Sequence, residues 1–217
     1  MLTRADRTVA DALDVLDDVR SLGLRHIGFK DVGIEPAAAH ALHRKIKELG
    51  ATSYLEVVST SQETALQSAR VARELGVDRL LGGTQIEETL AILANTGVQY
   101  LPFPGTPFDH PTKLRGSPSQ IAADCRRARS LGAAGVDLLA YRATDADPIE
   151  LVRAARDALD GGTLLVAGGV CKPDQIRALA GAGANAFTVG SAAFDGSFAP
   201  HVGSLRSQLK AVLDACA

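Results

Sequence analysis

The sequence predicts an α/β protein: a closed (β/α)8 barrel of eight parallel strands with outer helices, made by a single domain over residues 1–217. Three observations point there. A unit of helix end, glycine and short apolar run recurs along the chain. The last two apolar runs lead directly into glycines. The composition, 46% apolar with 4% aromatic residues and no tryptophan, suits helices packed on strands through small side chains. The same units would also build an open doubly wound sheet; the glycines of the final two units favour the barrel.

The segment Met1 to Thr3 is short, and is read as the end of a first strand. The helix over Val9–Leu22 places Leu13, Leu16 and Val19 on one stripe. The repeat then reads SLGLRHIGF from Ser21, ELGATSYLEV from Glu48, ELGVDRLLG from Glu74, NTGVQYLPF from Asn95, GAAGVDLLAY from Gly132, DGGTLLVAGG from Asp160 and GAGANAFTVG from Gly181. Glycine tolerates the left-handed conformation that ends a helix. The runs that follow have strand length and are nearly all apolar, as in strands covered on both faces. They predict strands over 26–30, 53–58, 79–83, 99–103, 136–141, 164–167 and 186–189. Helices are expected over Pro36–Leu49, Glu63–Leu75, Ser119–Leu131 and Pro173–Ala180, with another starting at Asp147-Pro148. Proline is well suited to a first helical turn. Segments of this kind alternate into a parallel sheet with right-handed crossovers.

Charge and cysteine usage narrow the function. The 23 basic and 25 acidic residues leave a net charge of −2, which gives no basic face for nucleic acid. No apolar run reaches the roughly 18 residues that span a membrane. The opening MLTRADRTVADALDVLDD lacks the apolar core of a secretory signal. The three cysteines, Cys125, Cys171 and Cys216, lack zinc-site or disulfide-scaffold spacing, so a reducing, cytoplasmic setting is expected. Neither a cofactor nor a metal is expected. His40 and His43 fall on a helix and His26 begins a strand, and GAGANA stands between helix and strand, the reverse of the dinucleotide-binding order. The partner expected is a small phosphorylated substrate, with neither nucleic acid nor membrane; a homo-oligomer is compatible with the sequence.

Two segments carry the expected ligand site: Leu164–Val170 and Ala186–Phe194, each an apolar strand followed by glycine, with one helix between. Barrels often bind phosphate at the loops after strands seven and eight, helped by a helix N-terminus. The pair Gly168-Gly169-Val170 and Val189-Gly190-Ser191-Ala192 resembles the motif of the ribulose-phosphate-binding TIM barrels. These include histidine- and tryptophan-pathway isomerases, pentulose-phosphate epimerase, and sugar-phosphate decarboxylases and aldolases. The resemblance implies phosphate held by Gly168, Gly169, Gly190 and Ser191. Tight turns alone would also use these glycines.

Side chains at the carboxyl ends of barrel strands face the mouth. In HIGFKD and TSYLEVVS, alternation turns Lys30 inward on one strand, and Tyr54 and Glu56 inward on the next. A lysine in an apolar mouth loses basicity and becomes a nucleophile or base, whereas a neighbouring carboxylate keeps it charged; the two effects compete. A buried ion pair joining two strands is the structural alternative. Tyr141 is expected inward, with Arg142 on the same rim and able to bind a carboxylate or phosphate. Thr84, Gln85 and His110, the last in the long loop from Pro104 to Pro118, are candidate substrate contacts.

The stretch from Leu55 to Thr84, with YLPFPGTP after it, resembles the centre of the 2-keto-3-deoxy-6-phosphogluconate aldolase barrel. It implies roles for Glu56, Thr84 and Pro104-Gly105. That family carries a Schiff-base lysine on its sixth strand, where DLLAYRA has Tyr141 and Arg142 but no lysine. The expected activity is a metal-independent carbon–carbon lyase or aldolase acting on a sugar phosphate or phosphorylated keto acid. Lys30, Glu56 and Tyr141 would be its catalytic groups. An isomerase of a phosphorylated aminosugar and a non-catalytic phosphometabolite-binding barrel are the alternatives.

Overall fold

Helix starts follow directly from side-chain chemistry. In the computed structural model, which describes residues 1–59 and 61–216, the hydroxyls of Ser61, Ser117 and Ser204 and the carboxylate of Asp147 each accept a backbone N–H of the helix they precede. Prolines occupy the first turn of four helices.

The elements run β1 (Thr3–Arg4), β2 (Arg7–Thr8), α1 (Ala12–Val19), β3 (His26–Lys30), α2 (Pro36–Glu48), β4 (Thr52–Glu56), α3 (Gln62–Leu75), β5 (Arg79–Leu81), α4 (Ile86–Leu93) and β6 (Gln99–Leu101). They continue as β7 (Thr106–Phe108), β8 (Lys113–Arg115), α5 (Pro118–Ser130), β9 (Gly135–Leu138), α6 (Pro148–Ala158), β10 (Thr163–Val166), α7 (Pro173–Gly181), β11 (Ala186–Phe187), α8 (Ser191–Phe194) and α9 (Leu205–Asp214).

The seven long-range strands are parallel and form two sheets, β3-β4-β5-β6 and β9-β10-β11. Two backbone bonds join the sheets, Ala134 N to Tyr100 O and Asp137 N to Pro102 O, each 2.9 Å. At the opposite seam the Met1 nitrogen donates to Val189 O at 2.8 Å and Leu2 N to Gly28 O at 2.7 Å. The N-terminal residues therefore lie between β11 and β3, where the first strand was expected. They form no parallel ladder there. Thr3–Arg4 instead pairs antiparallel with Arg7–Thr8, because the chain reverses at Ala5-Asp6 and carries the Asp6 carboxylate inward.

Several strands are shorter than expected. Those expected to reach residues 83, 103 and 141 end at Leu81, Leu101 and Leu138. Gly82 and Gly83 take φ of +82° and +73°, and a 3-10 turn over Ala140–Arg142 follows β9. The expected loop from Pro104 to Pro118 contains the β7–β8 hairpin, paired antiparallel outside both parallel sheets.

Register decides which side chains meet. Lys30 pairs with Glu56 and Gly28 with Tyr54, so these face the interior, while Ile27, Phe29 and Leu55 turn outward and are buried beneath the helices. Leu16, Leu42, Ile46, Ala69 and Ile121 meet them as part of a continuous apolar layer. Among the described residues, no helix is long and apolar enough to cross a membrane.

The tightest backbone approach is at Gly135, where an added Cβ would fall inside the van der Waals radius of the Thr163 carbonyl oxygen. Gly135→Ala must push β10 away from β9. We expect it to destabilise the chain by about 1–3 kcal/mol or more, read as a lower urea midpoint. An unchanged midpoint would show that the two strands can separate at little cost.

Candidate active site

Lys30 and Glu56 end adjacent strands, and their side chains meet at 2.8 Å between Nζ and Oε1. A second carboxylate, from Asp6, reaches the same ammonium at 3.1 Å. Asp6 is in turn gripped side-on by Arg142, with Nη1 to Oδ2 at 2.5 Å and Nη2 to Oδ1 at 2.7 Å. The Thr112 amide donates to Asp6 Oδ2 at 3.1 Å, and its carbonyl accepts from Arg142 at 2.9 Å. Lys30, Glu56 and Asp6 are all buried.

The local chain explains this convergence. β1 and β2 form a hairpin with a two-residue loop, Ala5-Asp6, at φ of +48° and +57°. Both central residues of such a tight turn need positive φ. Thr8, at its far end, clamps Lys30 from behind: its hydroxyl accepts from Lys30 N and donates to Lys30 O, both at 2.8 Å. Asp31 follows and accepts from Val58 N at 3.0 Å and from the Ser68 hydroxyl at 2.5 Å, tying the ends of β3 and β4 to α3.

The charges set one another's protonation. Burial works against a charged Lys30, but Glu56 and Asp6 outweigh it and raise the ammonium above its ordinary value. Burial likewise opposes an ionised Asp6, yet the Arg142 hydrogen bonds and the Lys30 charge hold it well below the usual carboxylate range. The competition over Lys30 is thus resolved in favour of the charged form. Asp137, on β9, is the contrasting case. It is wholly buried, and among the described residues neither carboxyl oxygen has a hydrogen-bond partner. Burial first, and repulsion from Glu56 second, push it well above the carboxylate range. The two cations are already matched by Asp6 and Glu56, so a third negative charge has no counterpart.

Lys30, Glu56, Asp6 and Arg142 floor a cavity of about 320 Å³ that continues to Gly168, Gly169, Gly190 and Ser191. Among the described residues, the backbone N–H groups of these last four donate to no protein acceptor. Gly168 and Gly169 have φ of +72° and +79°, and a Cβ on Gly168 would collide with the Arg142 side chain. The glycine therefore both turns the chain and seats the arginine. A Cβ on Gly190 would come within 2.5 Å of Thr3 Oγ1, so the N-terminal hairpin runs beside this loop. Ala5 N donates to the Ser191 hydroxyl at 3.1 Å.

The other expected contacts lie elsewhere. Tyr141 sits in the 3-10 turn after β9, partly buried and outside the lining of the cavity, because that turn breaks the alternation that would have aimed it inward. Burial, with Asp147 and Cys171 nearby, raises its phenol. Thr84 lines a second cavity of about 250 Å³ with Ser59, Phe103, Thr106 and Thr112. Gln85 donates to the Thr84 hydroxyl at 3.0 Å, and His110 is exposed near the tip of the β7–β8 hairpin. Asp6, Thr112 and Asp137 were missed. Asp137 had a signal: it shares the alternation parity used to choose Tyr141, four residues deeper. Among the described residues, no three His, Cys, Asp or Glu side chains are grouped to hold a metal ion.

Parallel strands, outer helices and a polar mouth at the strand carboxyl ends describe a fold of the TIM-barrel kind. Solved structures make the likeness concrete. Orotidine 5'-phosphate decarboxylase from Pyrococcus horikoshii OT3 matches with a TM-score of 0.68 at 16% identity, over 96% of this chain and 95% of that one. The native KDPGal structure matches with a TM-score of 0.67 at 14% identity, over 98% and 91%. The Amycolatopsis orientalis BexX/CysO complex matches with a TM-score of 0.63 at 18% identity, over 97% and 86%. No protein-family model and no curated protein matches the sequence. At these identities the likeness is one of fold.

Asp137 makes a direct test of the electrostatics. Its folded pKa is raised, so its contribution is intact below the unfolded value of about 4 and is lost as pH rises towards the folded one. Over that window the wild type should lose stability relative to Asp137→Asn by about 1.4 kcal/mol per pH unit. Thermal melts from pH 4.5 to 8 should show the variant's advantage widening. A constant difference would mean that Asp137 ionises normally.

Proposed function

We propose that the chain is an enzyme acting on a small phosphorylated metabolite, a sugar phosphate or phosphorylated keto acid, and that it is a carbon–carbon lyase. We also read the seam at Met1–Leu2 as the closure of an eight-place barrel, with the N-terminal segment in the first place. The observation that carries the functional reading is one cavity with two kinds of wall. Four backbone N–H groups without a partner among the described residues, at Gly168, Gly169, Gly190 and Ser191, line one side; the buried Lys30–Glu56 pair lines the other. Backbone donors without side chains in the way suit a phosphate. A substrate anchored there lays its carbon skeleton towards Lys30.

The protonation pattern favours one role for each group. Lys30, held as an ammonium, stabilises negative charge on an enolate-like carbon skeleton as a bond to carbon breaks, and donates a proton to it. As the bond to carbon breaks, Glu56 accepts the proton leaving the substrate hydroxyl, and it returns that proton to Lys30 once the ammonium has protonated the carbon. An amine nucleophile would first have to pass its proton to Glu56. The neighbouring carboxylates oppose that loss, so the Schiff-base role has less support than the acid role. The likeness in fold to orotidine 5'-phosphate decarboxylase, whose name specifies a phosphorylated substrate, supports this reading.

Two experiments test this. A phosphometabolite panel read by thermal shift identifies the ligand. With that ligand, Lys30→Ala should lower kcat by several orders of magnitude while leaving phosphate affinity nearly intact, and borohydride should label no lysine. Full activity in Lys30→Ala would remove Lys30 from the chemistry, and labelling at Lys30 would make it a nucleophile. For the phosphate wall, Gly190 is a poor probe, because a side chain there strikes Thr3. Ser191→Asp places a carboxylate beside the cradle instead. It should weaken binding of glycerol 3-phosphate at least tenfold in a folded protein, measured by calorimetry; unchanged affinity would refute the cradle.

A further inference from the structure

The groups around Asp6 have the form of a receptor. Arg142 presents two parallel N–H donors to both carboxylate oxygens, at 2.5 and 2.7 Å. Lys30 Nζ approaches one oxygen at 3.1 Å and the Thr112 amide the other, also at 3.1 Å. Four donors on three separate elements converge on one planar anion, and side-on guanidinium pairing is the geometry that selects a carboxylate. The anion that fills this receptor belongs to the chain itself.

Its mounting differs from that of the donors. Lys30 ends a central strand, and Arg142 is seated over Gly168. Asp6 sits on a two-residue turn with Ala5 at φ +48° and Asp6 at φ +57°, a conformation that non-glycine residues adopt at a cost. Arg4 and Ala5 beside it are exposed. The hairpin also reaches the other wall of the cavity. Ala5 N occupies the Ser191 hydroxyl at 3.1 Å, and Arg4 pairs with Asp195 at 2.9 Å and with Phe194 O at 2.8 Å. One short hairpin thus contacts both the receptor and the glycine loop, and Asp6, Arg142, Gly168 and Ser191 line the same cavity.

We propose that Arg142, Lys30 and the Thr112 amide form a binding site for a carboxylate of the ligand, and that Asp6 occupies this site in the unliganded chain as an internal stand-in. The inference rests on the phosphate reading of the cavity and sharpens it. The ligand carries a carboxylate as well as a phosphate, so it belongs to the phosphorylated acids rather than the neutral sugar phosphates. Binding exchanges one carboxylate for another, and the hairpin moves out as the ligand enters.

Asp6→Gly empties the receptor, and glycine accepts the turn's positive φ without strain. The probes are 3-phosphoglycerate, which has both groups, glycerol 3-phosphate, which has only the phosphate, and formate, which has only the carboxylate. Calorimetry should show 3-phosphoglycerate binding Asp6→Gly at least tenfold more tightly than wild type. Glycerol 3-phosphate should change less than threefold. The gain should vanish in Asp6→Gly/Arg142→Gln. Formate should raise the melting temperature of Asp6→Gly saturably, beyond chloride at equal ionic strength, and leave the wild type unmoved. A folded Asp6→Gly with no gain for 3-phosphoglycerate and no response to formate overturns the proposal, as does a gain that survives loss of Arg142. If neither phosphorylated probe binds either protein, the phosphate reading fails on its own, and the formate titration alone decides the receptor. Should Asp6→Gly not fold, Asp6→Asn, which keeps the turn and loses the charge, carries the same titrations with the same deciding outcomes.

Discussion

The mouth at the carboxyl ends of the parallel strands is organised by one carboxylate. Asp6 bonds at once to Lys30, Arg142 and the Thr112 amide. It therefore ties together the end of β3, the turn after β9 and the β7–β8 hairpin, the last two of which also meet at a parallel bridge between Leu114 and Ala143. Its charge offsets the desolvation of the buried Lys30 ammonium and the partly buried Arg142 guanidinium. Removing one member of such a set leaves an unmatched charge in a poorly solvated place, which costs far more than the pair contributes when intact. The positive φ of Ala5 and Asp6 is held in place by this arrangement.

The fold was largely legible because it rests on repetition. Every helix end followed by glycine and an apolar run marks a strand that is present, and Lys30 and Glu56 point inward as simple alternation requires. The boundaries failed where alternation ceases to apply: the left-handed backbone at Gly82 and Gly83, and the turn at Ala140–Arg142. That second failure promoted Tyr141 and hid Asp137, which has the same parity at greater depth. Helix α4 was not anticipated, since Ile86–Leu93 follows a glycine pair and lacks a side-chain cap.

Asp6 was invisible for a different reason. The turn Arg4-Ala5-Asp6-Arg7 has none of the Asn-Gly or Gly-containing pairs that mark two-residue hairpins. Its geometry is imposed by charges from residues far along the chain, with Arg142 lying 136 positions away. Tertiary electrostatics of this kind leave no local trace. The glycines of the last two units were readable as a motif, but their packing partners were not. That Gly168 makes room for Arg142 and Gly190 for Thr3 emerges only when distant segments meet.

The balance of charge inside the mouth also bears on how ligands arrive. Lys30 and Arg142 are matched by Asp6 and Glu56, so these four ionised groups sum to zero within a few ångströms, while burial pushes Asp137 well above the carboxylate range. A neutral constellation projects little field into solvent. It does not draw anions from a distance as a bare cationic funnel does. Capture then depends on collision and fit, at the roughly 10⁵–10⁷ M⁻¹s⁻¹ typical of unsteered encounters, and the on-rate should be nearly indifferent to salt. Discrimination among anions is exercised after entry, at close range, where the hairpin's carboxylate and the newcomer's compete for the same donors.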